Sequence, residues 1–257
     1  VPTMGALHEG HHSLVRTSLQ KGLLTVSSIF VNPTQFNDPA DFQKYPVTIE
    51  KDILALEQNG CDILFLPGVE EIYPRGLKME SPYDLGYIET ILEGKFRPGH
   101  FQGVCQVVHR LLGIVQPDHL FLGQKDYQQC MVIRKLIEIS GMDERVQVTI
   151  CPTLREPDGL AMSSRNMRLG DSQRTLAPLL YRCLIYLKDR LQPGDLSEPV
   201  REAGKRLVTE GFRPDYVVIA DAVTLEPVAS WDGRQKLVAL VAAYLGGIRL
   251  IDNLILN

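Results

Sequence analysis

Two histidines separated by Glu9 and Gly10 form the first pattern in this chain that could support chemistry. His8 and His11 lie in the run MGALHEGHHSLV, which follows a short extended segment and begins a helical pattern. Residues three apart lie on one helical face, so both imidazoles can point at one ligand. The N–H groups of a helix start favour an anion, and Gly10 lets it approach the backbone closely. The alternative is a pair of surface or capping histidines; His12 is expected to point elsewhere and to be exposed.

A second pattern, Gly123-Gln124-Lys125-Asp126, follows the predicted strand HLFL and begins another helix. Lys125 can reach a phosphate as a point charge, and Asp126 can cap the helix or orient a ligand hydroxyl. An ordinary strand-to-helix connection has the same appearance. The turn gains weight because ligands of open α/β sheets bind at the carboxyl edge of the strands, where the histidines are also expected.

A third pattern is Met162-Ser163-Ser164-Arg165, in the run DGLAMSSRN. Two hydroxyls and a guanidinium offer three phosphate contacts on a loop that could close over leaving pyrophosphate. The alternative is a serine-rich turn that caps a helix. The surrounding polar segment, residues 152–170, is predicted to be a hinge.

Side-chain amides form a fourth pattern at the ends of predicted elements. Asn32 and Gln35 follow the strand LTVSSIFV in the run NPTQF, and Gln128 and Gln129 come shortly after the lysine turn. Such amides can bind a small polar ligand without placing charge against it. Single glutamines are usually surface residues, so each signal is weak by itself.

The elements that must position these residues indicate an α/β fold. Short β-branched runs alternate with helical patterns, which predicts a Rossmann-like parallel sheet with crossover helices over residues 1–152. A smaller C-terminal α+β domain, residues 153–257, would act as a lid and carry the Ser-Ser-Arg loop. Predicted strands are residues 24–31, 62–66, 119–122, 146–150, 216–220 and 237–245, and predicted helices are residues 48–59, 102–115, 124–140, 171–191 and 197–210.

Composition excludes several classes of protein. The 27 basic and 31 acidic residues give a net charge of −4, which disfavours a general nucleic-acid binder. No apolar stretch approaches the length of a bilayer span, so no membrane association is expected. Five cysteines without a CxxC pair predict free thiols and a cytoplasmic location. The chain opens at Val1 inside an extended segment, so upstream residues are expected to precede it. Neither a Walker A loop, a GxGxxG fingerprint, a zinc pattern nor a GxSxG motif is present.

Taken together and in this order, the motifs resemble the pantoate–β-alanine ligase family. The matching runs span nearly the whole chain: PTMGALHEGH, SIFVNPTQF, EGKFRPGHFQGV, QPDHLFLGQKDYQQ, LREPDGLAMSSRN and RLIDN. The resemblance implies membership of the nucleotidylyltransferase superfamily with its HxGH element. It implies a ligase of pantothenate biosynthesis that joins pantoate to β-alanine through a pantoyl adenylate, releasing AMP and pyrophosphate. ATP would be a substrate with Mg²⁺, and the enzyme would be a homodimer.

The resemblance also implies roles for individual residues. His11, His8 and Lys125 would be catalytic, with His11 as the residue that such families treat as the proton donor. Gln35 would bind pantoate and border the β-alanine position, Gln129 would bind pantoate, and Asn32 would be a further substrate-binding residue. The ATP site would comprise Met4, Gly5, His8, Gly10, His11, Gly123, Gln124, Lys125, Asp126, the backbone at Leu154, Met162, Ser163, Ser164 and Arg165. Gln124 stands where many members carry an acid.

Two rival interpretations remain open from the sequence. A nucleotidylyltransferase of the same superfamily would adenylylate a phosphate, and the NPTQF and DYQQ amides speak against it. A non-catalytic nucleotide-binding module would share the ATP motifs, and the presence of Lys125, His11 and Arg165 speaks against that alternative.

Overall fold

The computed structural model describes residues 1–79 and 81–257, which divide into two compact units. The first comprises Val1–Gln124 and Gln128–Pro152, and the second comprises Lys125–Tyr127 and Thr153–Asn257. The backbone therefore passes from one unit to the other after residues 124, 127 and 152. A three-residue segment from the middle of the chain belongs with the C-terminal part.

Short strands and helices alternate along the first unit. Its strands are β1 (Pro2–Thr3), β2 (Val26–Ile29), β3 (Ile63–Phe65), β4 (His119–Gly123) and β5 (Gln147–Cys151). Its helices are α1 (Glu9–Gln20), α2 (Pro39–Gln43), α3 (Ile49–Gln58), α4 (Val69–Ile72), α5 (Leu92–Phe96), α6 (His100–Val115) and α7 (Tyr127–Ile139, of which Tyr127 groups with the second unit). Turns of 3-10 helix cover Pro33–Gln35, Gly86–Glu89 and Gln124–Asp126.

The strands of this unit pair in parallel, which confirms the predicted α/β class. β2 lies between β1 and β3, and β4 pairs with β5. Leu120, Phe121 and Leu122 of β4 are all buried, as expected for a parallel strand with both faces covered. Because parallel strands end at one edge, β1 and β2 deliver the residues that follow them, Met4 and Phe30, to the same side of their sheet.

Helix α3 corrects one part of the sequence analysis. The sequence of this helix, TIEKDILALEQN, predicts an apolar face formed by Ile49, Ile53, Leu54 and Leu56, but Ile53 and Leu54 are exposed in the structure. The buried side chains are Asp52 and Leu56. A carboxylate therefore occupies the inner face of this helix, where burial requires it to have hydrogen-bond partners.

The second unit combines helices with antiparallel strands. It contains α8 (Asp171–Leu176), α9 (Leu179–Asp189), α10 (Ser197–Thr209) and a 3-10 helix at Ser164–Arg168. Its strands are β6 (Gly194–Asp195), β7 (Phe212–Asp221), β8 (Ser230–Trp231), β9 (Leu237–Leu245) and β10 (Ile248–Ile255). β9 lies between β7 and β10, all antiparallel, and β6 pairs with β8. The core of this unit joins the inner face of β9 to α9 and α10.

Two predictions for this unit were wrong in detail. The single helix predicted over residues 171–191 is two helices, because Pro178 has no N–H to continue the ladder and instead precedes the first turn of α9. β10 was not predicted as a strand. Its signal was present in Gly246-Gly247 between two apolar runs, since a Gly-Gly pair is typical of a two-residue hairpin turn.

The cysteines and the apolar character of the helices bear on two further predictions from the sequence, those of free thiols and of no bilayer span. All five cysteines are free thiols, and burial raises the pKa of Cys105 to about 12. Within residues 1–79 and 81–257, no helix combines the length and the apolar character needed to cross a bilayer.

Candidate active site

The segment between β1 and α1 makes a left-handed bend that delivers the histidines. Gly5 has φ +81° and Ala6 has φ +49°, a conformation that is rare for a residue with a Cβ. The Asp52 carboxylate stabilises the bend by accepting hydrogen bonds from the N–H groups of Ala6 and Leu7, each at 2.8 Å. Thr48 Oγ1 donates to the same carboxylate at 3.1 Å. Asp52 therefore fixes the backbone immediately before His8.

His8 and His11 cap helix α1 with their Nδ1 atoms. Nδ1 of His8 accepts from the Gly10 N–H at 3.1 Å, and Nδ1 of His11 accepts from the His8 N–H at 3.3 Å. The two rings lie 4.1 Å apart between centroids. Because a backbone N–H can only donate, each Nδ1 must carry a lone pair, and each neutral ring then has its proton on Nε2. The capping alternative is thus correct for Nδ1, and the N–H of each neutral ring is at Nε2.

His12 is placed differently from the sequence analysis. Its side chain is only 12% exposed, and its Nδ1 lies 3.1 Å from Glu9 Oε1. Glu9 also pairs with Arg16, and these two neighbours hold the pKa of the Glu9 carboxyl below its usual value. The expected exposure of His12 was therefore wrong, since its side chain is largely covered and its Nδ1 contacts Glu9.

Asn32 and Gln35 form one amide network at the end of β2. Asn32 is 1% exposed and donates from Nδ2 to Gln35 Oε1 and to the Gly103 carbonyl, both at 3.1 Å. Its Oδ1 accepts from Tyr73 Oη at 2.7 Å and from Thr34 Oγ1 at 3.1 Å. Internal contacts thus occupy the amide of Asn32. Gln35, the less buried of the two, is oriented by it.

The 3-10 turn at Pro33–Gln35 rests directly on helix α6. A Cβ at Gly103 would lie 2.2 Å from the Thr34 carbonyl oxygen, so only glycine permits this approach. His100 Nδ1 lies 2.8 Å from the carbonyl oxygen of Gln35 and holds the other end of the turn. Gln35 also contacts Met4, with Nε2 donating to Sδ at 3.2 Å. The structure therefore joins two of the predicted site residues, Met4 and Gln35, in one cluster.

Of the paired glutamines on α7, only one stays partly exposed. Gln128 is 3% exposed, and its amide binds the backbone at and just before the start of α5: Oε1 accepts from the Glu93 N–H, and Nε2 donates to the carbonyls of Ile88 and Ile91. The expectation that Gln128 faces the substrate space was wrong. Gln129 is half-buried and is the neighbour that stays partly open to solvent.

The lysine turn crosses from the first unit into the second. Gly123 ends β4, and Lys125 and Asp126 follow within the 3-10 helix, 3.6 Å apart between Nζ and Oδ2. The Lys125 side chain is 19% exposed, whereas that of Asp126 is 46% exposed. Lys125 thus presents a mostly sheltered ammonium with the Asp126 carboxylate near it.

The Ser-Ser-Arg segment begins a 3-10 helix in the second unit. Ser163 caps it by accepting from the Arg165 N–H at 3.3 Å, which is the capping alternative noted from the sequence. Ser164 is buried, and Met162 N–H donates to the Leu154 carbonyl at 3.0 Å across a short hairpin. The hairpin ties Leu154 to Met162, two residues predicted for the ATP site.

Across the described part of the chain, no three His, Cys, Asp or Glu side chains are placed to hold a metal ion.

Four contributors to this site were missed in the sequence: Asp52, Tyr73, His100 and Gly103. Asp52 had a detectable signal, because positions 49, 52 and 56 share one face of α3 and the central one is a carboxylate. His100 and Gly103 lie within the matching run EGKFRPGHFQGV without an assigned role. Tyr73 had no local signal, since its contact with Asn32 spans 41 residues.

Replacing Asp52 with asparagine should lower the free energy of unfolding by about 1–3 kcal/mol, because one buried N–H loses its acceptor. Chemical denaturation of the purified variant measures this loss. Asp62→Asn is the matched control: Asp62 also accepts from a backbone N–H, that of Thr25 at 2.8 Å, but it is exposed. Asparagine at position 62 keeps one oxygen that can accept this single bond, so equal losses in the two variants would contradict the role assigned to Asp52.

Comparison with known proteins points to a single family. The family model for pantoate-beta-alanine ligase matches residues 1–255. The chain is 42% identical to a pantothenate synthetase of Cytophaga hutchinsonii, with all of this chain and 90% of the relative covered. It is similar to the crystal structure of pantothenate synthetase from Thermus thermophilus, with TM-score 0.91, 42% identity, and 98% and 91% of the two chains covered.

A further solved relative carries ligands. The pantoate-beta-alanine ligase of Francisella tularensis was crystallised with beta-gamma ATP and beta-alanine. This chain matches it with TM-score 0.81 and 37% identity, covering 99% of this chain and 87% of the relative.

Proposed function

Because this chain belongs to the pantoate–β-alanine ligase family, we propose that it makes pantothenate in two half-reactions that consume ATP. In the first, a carboxylate oxygen of pantoate attacks the α-phosphorus, and the bond to the bridging oxygen breaks to release pyrophosphate. In the second, the amine of β-alanine attacks the pantoyl carbonyl, the C–O bond to AMP breaks, and the amine proton passes to solvent. The ATP and β-alanine ligands of the Francisella relative support both substrates.

The observation that carries this proposal is the pair of hydrogen bonds that His8 Nδ1 and His11 Nδ1 accept from the backbone. With Nδ1 of His8 and His11 accepting from the backbone, each ring offers Nε2–H as a neutral donor at the start of α1. Negative charge grows on the triphosphate as the pyrophosphate leaves, and preorganised donors stabilise such charge most in the transition state. His11 would serve as the proton donor expected from the resemblance, and Met4, Gly5 and Gly10 would bring the backbone close to the nucleotide.

The amide cluster of Asn32 and Gln35 supports binding of pantoate by neutral groups. Gln35 and Gln129 would bind pantoate, with Gln35 bordering the β-alanine position. Asn32, whose amide is used internally, would act by orienting Gln35 rather than by touching substrate. A bidentate arginine would stabilise the ground-state carboxylate and make it a poorer nucleophile, whereas amides position it without that cost.

The remaining ATP contacts would come from the lysine turn (residues 123–126) and from the Ser-Ser-Arg segment (residues 162–165), called the serine loop below. Lys125 would neutralise charge on the phosphates as a point charge, and Asp126 would orient a ligand hydroxyl. The backbone at Leu154 would meet the adenine, and the other proposed contacts are Gly123, Gln124, Met162, Ser163, Ser164 and Arg165.

Mg²⁺ would enter with ATP and act as a Lewis acid on the phosphate oxygens, which are the hard ligands that it prefers. The homodimer stays a prediction.

Product identification tests the proposal directly. We expect AMP, pyrophosphate and pantothenate by mass spectrometry when ATP, pantoate and β-alanine are present, and no AMP when pantoate is omitted. A nucleotidylyltransferase would transfer AMP to a phosphate and would not depend on an amine. ADP and phosphate among the products would indicate an acyl phosphate and would rule out the adenylate.

A further inference from the structure

Two consecutive buried polar residues in β10 have no role in the function proposed so far. Asp252 is 4% exposed and Asn253 is 2% exposed, both within β10, one of the two edge strands of the three-stranded antiparallel sheet. They pair with Val241 and Leu240 of β9, which are also buried. Two adjacent polar side chains at such depth need partners, and their partners are informative.

Asn253 binds the backbone of the lysine turn. Its Nδ2 donates to the carbonyl oxygen of Lys125 at 2.8 Å. The same three-residue segment has a second anchor two positions later, where Tyr127 Oη donates to the Ala222 carbonyl at 2.7 Å. These two bonds fasten residues 125–127 to the second unit and fix the Cα from which the Lys125 side chain extends.

Asp252 fastens the base of the serine loop to the same strand. Its two oxygens accept from Arg155 Nη1 at 2.6 Å and Nη2 at 3.0 Å, in a bidentate pair. Arg155 also donates to the carbonyls of Asn253 and Gly159, and its guanidinium lies 3.9 Å from the Tyr181 ring centroid. A bridge between Arg155 and Ala161 closes the hairpin that leads to Ser163.

The backbone of Asn253 is also bonded to the Asp252 side chain. The N–H of Asn253 donates to Asp252 Oδ1 at 2.7 Å, so the carboxylate that holds Arg155 also fixes the residue that holds Lys125. The lysine turn and the serine loop are far apart in sequence, yet one dipeptide contacts both. A network used only for core stability would need neither the Lys125 carbonyl nor the hairpin as its partners.

We propose that Asn253 is a positioning residue for Lys125. Asp252 fixes the position of Asn253 relative to the hairpin of the serine loop, because it binds both the Asn253 N–H and Arg155. The proposal rests on the ATP-binding role proposed above for Lys125. Asn253 does not touch substrate in this scheme. It fixes the position of the Lys125 backbone before ATP binds. Placing the ammonium against the phosphates then costs less conformational entropy.

Calorimetry of ATP binding to four proteins tests the proposal: the wild type, Asn253→Ala, Lys125→Ala and the double variant. Loss of the Asn253 bond should weaken ATP binding about tenfold, the effect of one buried hydrogen bond. In the Lys125→Ala background the same change should have little further effect, because the ammonium being positioned is gone. Equal effects of Asn253→Ala in both backgrounds would overturn the proposal.

Two further variants separate positioning from packing. Asn253→Leu keeps nearly the same size but has no group that can donate to the Lys125 carbonyl, so it should weaken ATP binding at least as much as Asn253→Ala. A milder effect would indicate packing and overturn the proposal. Asn257→Ala is the control, since Asn257 binds the backbone of Leu237 and Gln235 in the same unit, and it should leave ATP affinity unchanged. Asp252→Asn is a poor probe, because it leaves Arg155 buried without its anion.

Measurements of ATP binding and of turnover together distinguish failure of the proposed function from failure of the positioning role of Asn253. If the wild type binds ATP but produces no AMP with pantoate, the proposed function fails while the four affinities still decide the role of Asn253. If AMP forms and the effects of the two substitutions are additive, the function stands and the positioning role is overturned.

Discussion

Alanine at position 11 or 125 should slow formation of the pantoyl adenylate by about 100- to 1000-fold, the usual cost of removing one donor to developing charge. His11 offers Nε2–H and Lys125 offers an ammonium, and both would meet charge that grows as pyrophosphate leaves. Attack of β-alanine on supplied adenylate should change much less, because the pyrophosphate has already left. Single-turnover measurement of each half-reaction separates the two effects.

Neighbouring residues provide matched controls for both substitutions. His12→Ala removes an imidazole from the same turn of α1, one that contacts Glu9. Lys135→Ala removes an ammonium from α7, one that pairs with Glu138 at 2.9 Å. Both controls should retain adenylate formation within a few-fold of the wild type. Equal losses of the two half-reactions in His11→Ala would contradict stabilisation of the developing charge by His11 and would leave the ring a role only as a helix cap or as a proton donor.

Gly103→Ala should destabilise the fold by about 1–3 kcal/mol and raise the KM for pantoate, because the new methyl group would displace the turn that carries Gln35. The Cβ would lie 2.2 Å from Thr34 O, and the atoms that it meets are backbone, which cannot rotate away. The KM for ATP should change less, since the clash is with the amide cluster. Thermal unfolding and steady-state kinetics with each substrate varied measure these effects.

Gly113→Ala is the matched control on the same helix. A Cβ at Gly113 meets no atom within 4 Å among the described residues, and alanine is the better helix former by about 1 kcal/mol. This variant should therefore be as stable as the wild type or slightly more stable. If Gly103→Ala and Gly113→Ala unfold at the same temperature, the close approach of α6 to the turn at Pro33–Gln35 does not constrain the fold.

The sequence was most informative where local pattern decides structure. Apolar runs such as HLFL predicted parallel strands, and the setting of His8 and His11 before a helix predicted a helix start with both rings on one side. These features depend on neighbours within a few residues. The same locality explains why the break at Pro178 should have been predicted, since proline acts on its own turn.

Contacts between distant residues could not be predicted in this way. Asp52 lies in a helix whose pattern favours Ile53 and Leu54 as core residues, and only the distant N–H groups of Ala6 and Leu7 explain why the carboxylate is inside. Gln128 and Gln129 are identical in type and adjacent in sequence, yet the segment before α5 occupies only the first. For such pairs the deciding information lies in tertiary partners rather than in residue type.

The segment Lys125–Tyr127 has a consequence for recombination between related enzymes. It groups with the C-terminal unit although 25 residues of the other unit separate it from Thr153. A chimaera that exchanges only residues 153–257 would pair the Asn253 and Ala222 of one parent with the Lys125 and Tyr127 of the other. The inherited module is therefore discontinuous, and a crossover that respects it must carry both pieces from the same parent.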